Sequence, residues 1–188
     1  MENRLPQNKK AIVWLCGGHF INDIYTGVLN PIMPFIAAKI GITMAIATII
    51  LTVSHIFSSL LQPLFGYFAD NIVKRSFIFW GLILSSIFIP LSALAHNPFI
   101  LVLFIIFGSI GSSLFHPQAL GFASRFAEKG NAGKSMAVFV AMGTLGYSFG
   151  PIISSAITQF LGMPRMPLMT IFGILWALLM FAFVPKLS

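Results

Sequence analysis

Six apolar stretches, each long enough to cross a lipid bilayer, occupy nearly all of this 188-residue chain. The hydrocarbon core of a bilayer is about 30 Å thick, and an α-helix crosses it in roughly 20 residues. Because no water is present there, the backbone must satisfy its own hydrogen bonds, which favours helices. We therefore predict an all-α, polytopic membrane protein with six transmembrane helices. The predicted helices are Ala11–Ala38, Met44–Ala69, Phe77–Ala95, Phe99–Phe122, Ser135–Leu161 and Leu168–Val184.

The composition excludes a soluble protein. Hydrophobic residues make up 57% of the chain and charged residues 8%, which leaves too little polar surface to cover a water-exposed fold. We expect residues 1–10 to form a cytoplasmic tail and residues 11–185 to form the transmembrane domain. Residues 186–188 would begin a cytoplasmic central loop or the C-terminus.

The formal net charge of +7 is a topology signal. A soluble protein with this charge would be a candidate for nucleic-acid binding. Here the basic residues lie mainly on one side of the six-helix arrangement, and only Lys39 and Arg165 lie on the other. The positive-inside rule then predicts an inner (cytoplasmic) membrane protein with both termini in the cytoplasm, and no nucleic-acid partner. The basic residues of the predicted cytoplasmic side are Arg4, Lys9, Lys10, Lys74, Arg75, Arg125, Lys129, Lys134 and Lys186.

Asp23 is the one acidic residue inside a predicted helix. It lies roughly 18 Å along the helix from Ala11, near the middle of the bilayer. An ionised carboxylate there costs several kcal/mol unless it is paired or hydrated, so it should face the bundle interior or a wet cavity. His19 lies four residues earlier on the same helix face, and an imidazole beside a carboxylate can exchange protons with it. We predict proton coupling at Asp23 and His19; the alternative is a hydrogen-bonded Asp23 that only joins helices.

Four more polar residues are candidates for the wall of a substrate cavity. His116 and Gln118 flank Pro117, whose missing N–H distorts a helix and frees backbone carbonyls. His55 lies near the middle of the second predicted helix, where a histidine either bonds a neighbouring helix or faces the cavity. Asn22 precedes the acidic residue of the first helix.

No enzyme chemistry is recognisable in the sequence. It has neither a zinc-binding HExxH motif nor a GxSxG nucleophile motif. Residues 130–135 (GNAGKS) partly match a phosphate-binding loop, but Glu128 stands where the first glycine is required. We predict no enzyme activity, no catalytic residues, no cofactor and no metal.

The segment after the second predicted helix, residues 66–75, reads GYFADNIVKR. It resembles the loop motif GxLADRxGRK of the major facilitator superfamily, with Gly66, Asp70, Lys74 and Arg75 matching. The resemblance implies that these residues form a cytoplasmic gate. Residues 143–151 (GTLGYSFGP) resemble the motif of proton-coupled antiporters in the same superfamily. Here Gly146 and Gly150 form a GxxxG pair that, with Pro151, predicts tight helix packing.

Within the superfamily, three segments resemble fosmidomycin-resistance-type efflux transporters. They are residues 18–23 (GHFIND), 59–67 (SLLQPLFGY) and 111–117 (GSSLFHP). The resemblance implies proton-driven export of a small anionic or amphiphilic compound, as in antibiotic resistance. It also implies half of a 12-helix fold, built from two three-helix inverted repeats.

The partners that follow are the bilayer, protons, a small-molecule substrate and a second six-helix half. That half would lie in the same chain or in another copy. Two alternatives stay open: a half-transporter that acts as a homodimer, and a non-transporting remnant or assembly partner.

Overall fold

A computed structural model of the chain describes residues 8–71, 75–127, 130 and 132–185, with residues 69–71 described by their backbone alone. This part of the chain is helical and contains no strand. Two short 3₁₀ segments, Ser92–Leu94 and Met163–Met169, accompany the α-helices. The α-helices are α1 (Lys9–Ile40), α2 (Met44–Asn71), α3 (Arg75–Leu91), α4 (Pro98–Phe126), α5 (Ala132–Phe160) and α6 (Thr170–Phe183).

The helix ends follow local sequence signals. The Asn8 side chain accepts a hydrogen bond from the Ala11 N–H at 3.0 Å and caps the start of α1, which ends at Gly41 in a left-handed conformation (φ 72°). The Asn97 side chain caps α4 in the same way, with Pro98 in the first turn. The predicted and observed boundaries of these two helices agree within a few residues.

The sixth predicted helix differs from the observed one at its start. The chain forms the 3₁₀ segment Met163–Met169 first, and α6 begins only at Thr170. Pro164 and Pro167 lie in this segment, and proline cannot donate the hydrogen bonds that an α-helix interior needs. The 3₁₀ segment and α6 together still form a continuous apolar stretch of 21 residues, Met163–Phe183.

Five helical stretches among the described residues are long and apolar enough to cross a membrane. They are Met44–Phe68, Arg75–Leu94, Pro98–Phe126, Ala132–Phe160 and Met163–Phe183. The 32-residue α1 is long enough as well, but His19, Asn22, Asp23 and Asn30 lower its hydropathy. The all-helical membrane architecture is thus confirmed, while the count of six spans and the inverted repeats stay predictions.

Helix α1 runs through the centre of the bundle, packed along α5 and touching α3, α4 and α6. We call the end where α1 begins the proximal end and the opposite end the distal end. The described chain forms an apolar cluster at each end, one around Leu15 and Phe122 (proximal) and one around Ile32 and Met166 (distal). Buried polar side chains lie between them, including Asn22 on α1.

The outward faces of α2, α5 and α6 are apolar and exposed. Leu60 is 70% exposed, Ile152 63% and Phe172 69%. Large aliphatic and aromatic side chains in such numbers suit lipid or a partner helix and not water. The polar side chains are instead concentrated on the faces that meet inside the bundle.

Candidate functional site

The Asp23 carboxylate lies between two imidazole rings. Its Oδ2 is 3.3 Å from Nε2 of His19, one helical turn earlier on α1, and its Oδ1 is 3.3 Å from Nε2 of His116 on α4. The side chains are 14% exposed for Asp23, 9% for His19 and 25% for His116. A carboxylate and two imidazoles, each able to gain or lose a proton, therefore meet in one partly buried cluster.

The ring of His19 is fixed in orientation by α5. Its Nδ1 lies 2.8 Å from the carbonyl oxygen of Phe139, and a carbonyl only accepts, so Nδ1 carries the hydrogen. In the neutral ring Nε2 then carries a lone pair that points at the Asp23 carboxylate. Two acceptors face each other unless a proton lies between them, on either the acid or the ring. This geometry therefore makes the His19–Asp23 pair a natural holder of one proton.

Asn22 connects the cluster to α3 and α4. Its Oδ1 accepts from the Ser85 hydroxyl at 2.8 Å, and its Nδ2 lies 3.0 Å from Asp23 Oδ1, 3.2 Å from Ser112 Oγ and 3.4 Å from His116 Nε2. The side chain is completely buried. Asn22 thus lies behind the charged group and holds it in position by hydrogen bonds.

A cleft of about 400 Å³ opens beside the cluster toward the proximal end. Both histidines reach its wall, and the rest of the wall is mainly apolar with two polar side chains from α2. The lining residues are His19, Ser59, Gln62, Pro63, His116, Pro117, Leu120, Phe139 and Val140. A concave, mostly apolar wall with a few convergent polar groups is typical of a small-molecule site.

The ligand atoms of the cluster are also close enough together to bind one metal ion. One ligand atom each from His19, Asp23 and His116 lies within 4.8 Å of the other two. However, the Asn22 amide donates its two N–H groups to Asp23 Oδ1 and Ser112 Oγ, so a carboxylate oxygen that a metal ion would need already accepts a hydrogen bond from the protein. The donor set therefore suits a proton better than a metal.

Glycines bring α5 into contact with α1 beside the cluster. A Cβ atom at Gly143 would overlap the His19 ring and lie 2.7 Å from Asp23 Oδ2. Farther along α5, Gly146 lies against the backbone of Phe20, and a Cβ at Gly150 would come within 2.6 Å of the backbone of α1. Close approach of the two backbones is what allows the histidine to reach a main-chain carbonyl of α5. Helix α5 continues through Pro151 to Phe160.

The remaining predicted cavity residues lie apart from the cluster. His55 is exposed and lines a separate small cavity between α2 and α4. Gln118 is 1% exposed, and neither atom of its amide has a hydrogen-bond partner among the described residues. Two residues along a helix turn the side chain by about 200°, so Gln118 faces away from the cleft wall that His116 lines.

The predicted gate is described only in part. A Cβ placed at Gly66 would lie 3.8 Å from Cβ of Pro117, so α2 and α4 are close together at this point. The Arg75 guanidinium donates to the Val184 carbonyl at 2.7 Å and lies 4.3 Å from the ring centre of Phe181. Lys74 and the side chain of Asp70 lie outside the described residues.

Sequence reasoning missed several residues of the site. Ser59 and Gln62 follow His55 at helical spacing, so their shared face on α2 is a signal that points to them. Ser85 and Ser112 carry no signal beyond being small polar residues in apolar helices. The Phe139 carbonyl has none, because every residue has a backbone acceptor.

The family follows from comparison with known proteins. The model of the Major Facilitator Superfamily matches residues 15–187. The chain belongs to the major facilitator superfamily. Members of this superfamily are multi-pass membrane transporters, which agrees with the apolar helices and the polar interior.

Several curated members are similar to this chain. The fosmidomycin resistance protein of Escherichia coli is 31% identical over 140 residues, 74% of this chain and 34% of its own length. The riboflavin transporter RibZ of Clostridioides difficile is 25% identical over 97% of this chain and 40% of its length. The quinolone resistance protein NorA of Staphylococcus aureus is 24% identical over 80% of this chain and 39% of its length. The chain thus spans two fifths or less of the relatives it matches.

Solved structures share the fold. A peptide transporter POT, in complex with sulfate, superposes with a TM-score of 0.77 and 16% identity over 94% of this chain and 39% of that one. A POT family transporter in complex with 5-aminolevulinic acid gives a TM-score of 0.76 and 19% identity, and the match covers 89% of this chain and 37% of the transporter. At this identity the likeness concerns the transporter fold alone.

Proposed function

We propose that this chain is the N-terminal half of a proton-coupled antiporter that exports small molecules, and that Asp23 carries the coupling proton. The observation that carries the proposal is the Asp23 carboxylate, held 3.3 Å from two imidazole nitrogens at the edge of a cleft. A group that binds a proton beside a substrate site can couple the two, because the charge on Asp23 changes when the proton leaves.

The direction of transport is inferred from the relatives. Two of them are named for resistance to fosmidomycin and to quinolones. A transporter confers resistance most simply by moving the compound out of the cell. The substrate is therefore proposed to be a small amphiphilic or anionic compound whose apolar part contacts the cleft wall and whose polar part meets His116 and Gln62.

The other half of the cavity is proposed to come from a second six-helix unit in the same chain. The matched relatives are longer chains of which this one covers 34–40%, which supports a single-chain transporter over a homodimer. The gate role of Gly66, Asp70, Lys74 and Arg75 remains part of the proposal.

Orientation follows from charge. Among the described basic residues, Lys9, Lys10, Arg125 and Lys134 lie at the proximal end, together with the Arg75 guanidinium. Lys39 and Arg165 lie toward the distal end. By the positive-inside rule, this distribution supports an orientation in which the proximal end, and with it the cleft, faces the cytoplasmic side of the inner membrane.

Asp23→Asn tests the proposal. The protein encoded by the complete gene is reconstituted in vesicles that contain a pH-sensitive dye, and fosmidomycin and a quinolone are added as probe substrates. The wild type is expected to move protons when a substrate is transported. Asp23→Asn should lose this proton movement by roughly 100-fold or more, because the amide cannot take up a proton.

Asp23→Glu is the matched control, since it keeps a titratable carboxyl at nearly the same place. It should retain a measurable fraction of coupled transport. If Asp23→Asn folds normally and still couples proton movement to export, the proposed role of Asp23 is wrong.

A further inference from the structure

A second cavity, of about 50 Å³, lies on the distal side of the Asp23 cluster. A buried water needs about 10–15 Å³ of cavity volume, so the cavity can hold roughly three to five waters. Six of its ten lining residues are polar. They are Thr26, Leu29, Leu51, Ser54, His55, Ser58, Ile89, Gly108, Ser109 and Ser112. We call this space the distal chamber.

The hydroxyl groups of the chamber wall are arranged as acceptors. Thr26 donates its hydrogen to the Asp23 carbonyl at 3.0 Å, and Ser54 donates to the Ile50 carbonyl at 2.7 Å. Their oxygen lone pairs remain free. Ser112 lies 3.2 Å from the Asn22 amide nitrogen, from which it accepts. These three oxygens can therefore accept hydrogen bonds from an occupant of the chamber, such as water or a hydrated proton.

A pair of serines lies at a depth between those of the chamber and the cleft. Ser58 on α2 and Ser113 on α4 lie with their hydroxyl oxygens 2.7 Å apart. Counted from the proximal helix ends at 1.5 Å per residue, this pair is roughly 20 Å deep, whereas Gln62 of the cleft is roughly 14 Å deep. Thr26 and Ser109 of the chamber are roughly 25 Å deep by the same count. The chamber therefore lies on the distal side of the cleft, and its wall is linked to Asp23 through Ser112, which accepts from the Asn22 amide that also donates to Asp23 Oδ1.

His55 is the titratable residue of the chamber wall, and its side chain is also exposed. The elements packed around it contribute three other titratable groups to this part of the bundle. Helix α1 contributes Asp23 and His19, and α4 contributes His116. From α3 the chamber receives the apolar Ile89. His55 is thus a titratable residue that lies both in the chamber wall and at the surface of the described bundle.

We propose that the distal chamber holds a short chain of water through which His55 delivers protons to Asp23. An N–H bond of the His55 imidazolium breaks as an O–H bond forms on the adjacent water. The proton passes along the water chain and ends as the O–H of the Asp23 carboxylic acid, and a proton from distal water restores His55. The inference rests on the proposed function of Asp23 as the proton carrier.

This arrangement gives protons and substrate opposite routes to the same residue. Substrate reaches the cluster from the proximal cleft, and protons reach it from the distal chamber. For an exporter driven by inward proton flow, these are the sides from which each must come. His55 and the chamber hydroxyls thereby determine how fast Asp23 is recharged.

The test follows the Asp23 carboxylic acid directly, without substrate. The protein encoded by the complete gene is placed in lipid vesicles, the external pH is dropped, and time-resolved infrared spectroscopy records the C=O stretch of the protonated acid. Asp23→Asn identifies the band by its absence. His55→Gln should slow the appearance of the band roughly tenfold or more and leave its final amplitude unchanged.

Two further variants separate the chamber from general damage. Thr26→Val keeps the side-chain volume but removes an acceptor from the wall, so it should also slow the band. His96→Gln is the matched control, because His96 is exposed and lies between α3 and α4, outside the chamber wall. It should leave the rate unchanged.

The outcomes distinguish the two proposals. If the Asp23 band appears as fast in His55→Gln and Thr26→Val as in the wild type, protons arrive through the cleft and the chamber route is wrong. If the wild type shows no band that Asp23→Asn removes, Asp23 does not carry the proton and the proposed function itself fails.

Discussion

The contact between α1 and α5 can be tested with a single methyl group at Gly146. A Cβ there would overlap the Phe20 carbonyl oxygen and lie 2.8 Å from its carbonyl carbon and 2.9 Å from its Cα. Ordinary carbon contacts are 3.5–4.0 Å, so the helices must separate by about 1 Å. All three of these Phe20 atoms belong to the backbone, so none of them can rotate away from the new methyl group.

The magnitude follows from two opposing effects. Overpacking of this kind costs about 1–3 kcal/mol of stability. A methyl group that clashes with a backbone belongs at the upper end of this range, about 3 kcal/mol. Replacing glycine by alanine inside a helix returns about 1 kcal/mol through helix propensity. Gly146→Ala should therefore destabilise the protein by about 2 kcal/mol, which lowers the Tm by about 4–8 °C for a chain of this size.

Gly121→Ala is the matched control, because nothing lies within 4 Å of a Cβ placed at Gly121 on α4. It should gain the propensity without the clash and raise the Tm by about 2–4 °C. Thermal unfolding in mild detergent, followed by tryptophan fluorescence, measures both variants. Equal melting temperatures for Gly146→Ala and Gly121→Ala would refute the close backbone approach.

Two further predictions concern anchoring contacts inside the bundle. Tyr25→Phe removes a hydrogen bond of 2.6 Å from a buried hydroxyl to the Met169 carbonyl and should lower the free energy of unfolding by about 1–2 kcal/mol. Tyr147→Phe, at an exposed site, should lower it by less than about 0.5 kcal/mol, and equal Tm values for the two variants would contradict this. Arg75→Ala removes the contacts to Val184 and Phe181 and should cost about 2 kcal/mol in the same thermal unfolding, while Arg125→Ala at an exposed position should change little. If Arg75 acts only in a gate against the other half, its removal will leave the stability of this chain unchanged.

The helices could be predicted because the demand for about 20 apolar residues is strong and local. The His19–Asp23 pair could also be predicted, since four residues of helix bring two side chains to one face. The approach of His116 to the same carboxylate depends on how α1 and α4 pack. The sequence suggested this approach only through the similar distances of His19 and His116 from the predicted cytoplasmic ends of their helices.

Other parts of the site are invisible to local reasoning. Proximity in sequence groups Gln118 with His116, but helix geometry turns the two side chains to opposite faces. His55 matches Asp23 in depth, yet it lines the distal chamber and not the cleft. The sixth helix was predicted to begin at Leu168, but Leu168 and Met169 belong to a 3₁₀ segment that contains two prolines, so α6 begins at Thr170.

The bond from His19 to the Phe139 carbonyl has a consequence for genetics. The acceptor belongs to the main chain, so no side-chain substitution at position 139 deletes it. A mutational scan would then score position 139 mainly by the size of its ring. The need for this hydrogen bond would show instead as intolerance to substitution at Gly143, where any side chain would push the His19 imidazole away from both the Phe139 carbonyl and the Asp23 carboxylate. A residue with no functional group would thus be recorded as essential to the chemistry of its neighbours.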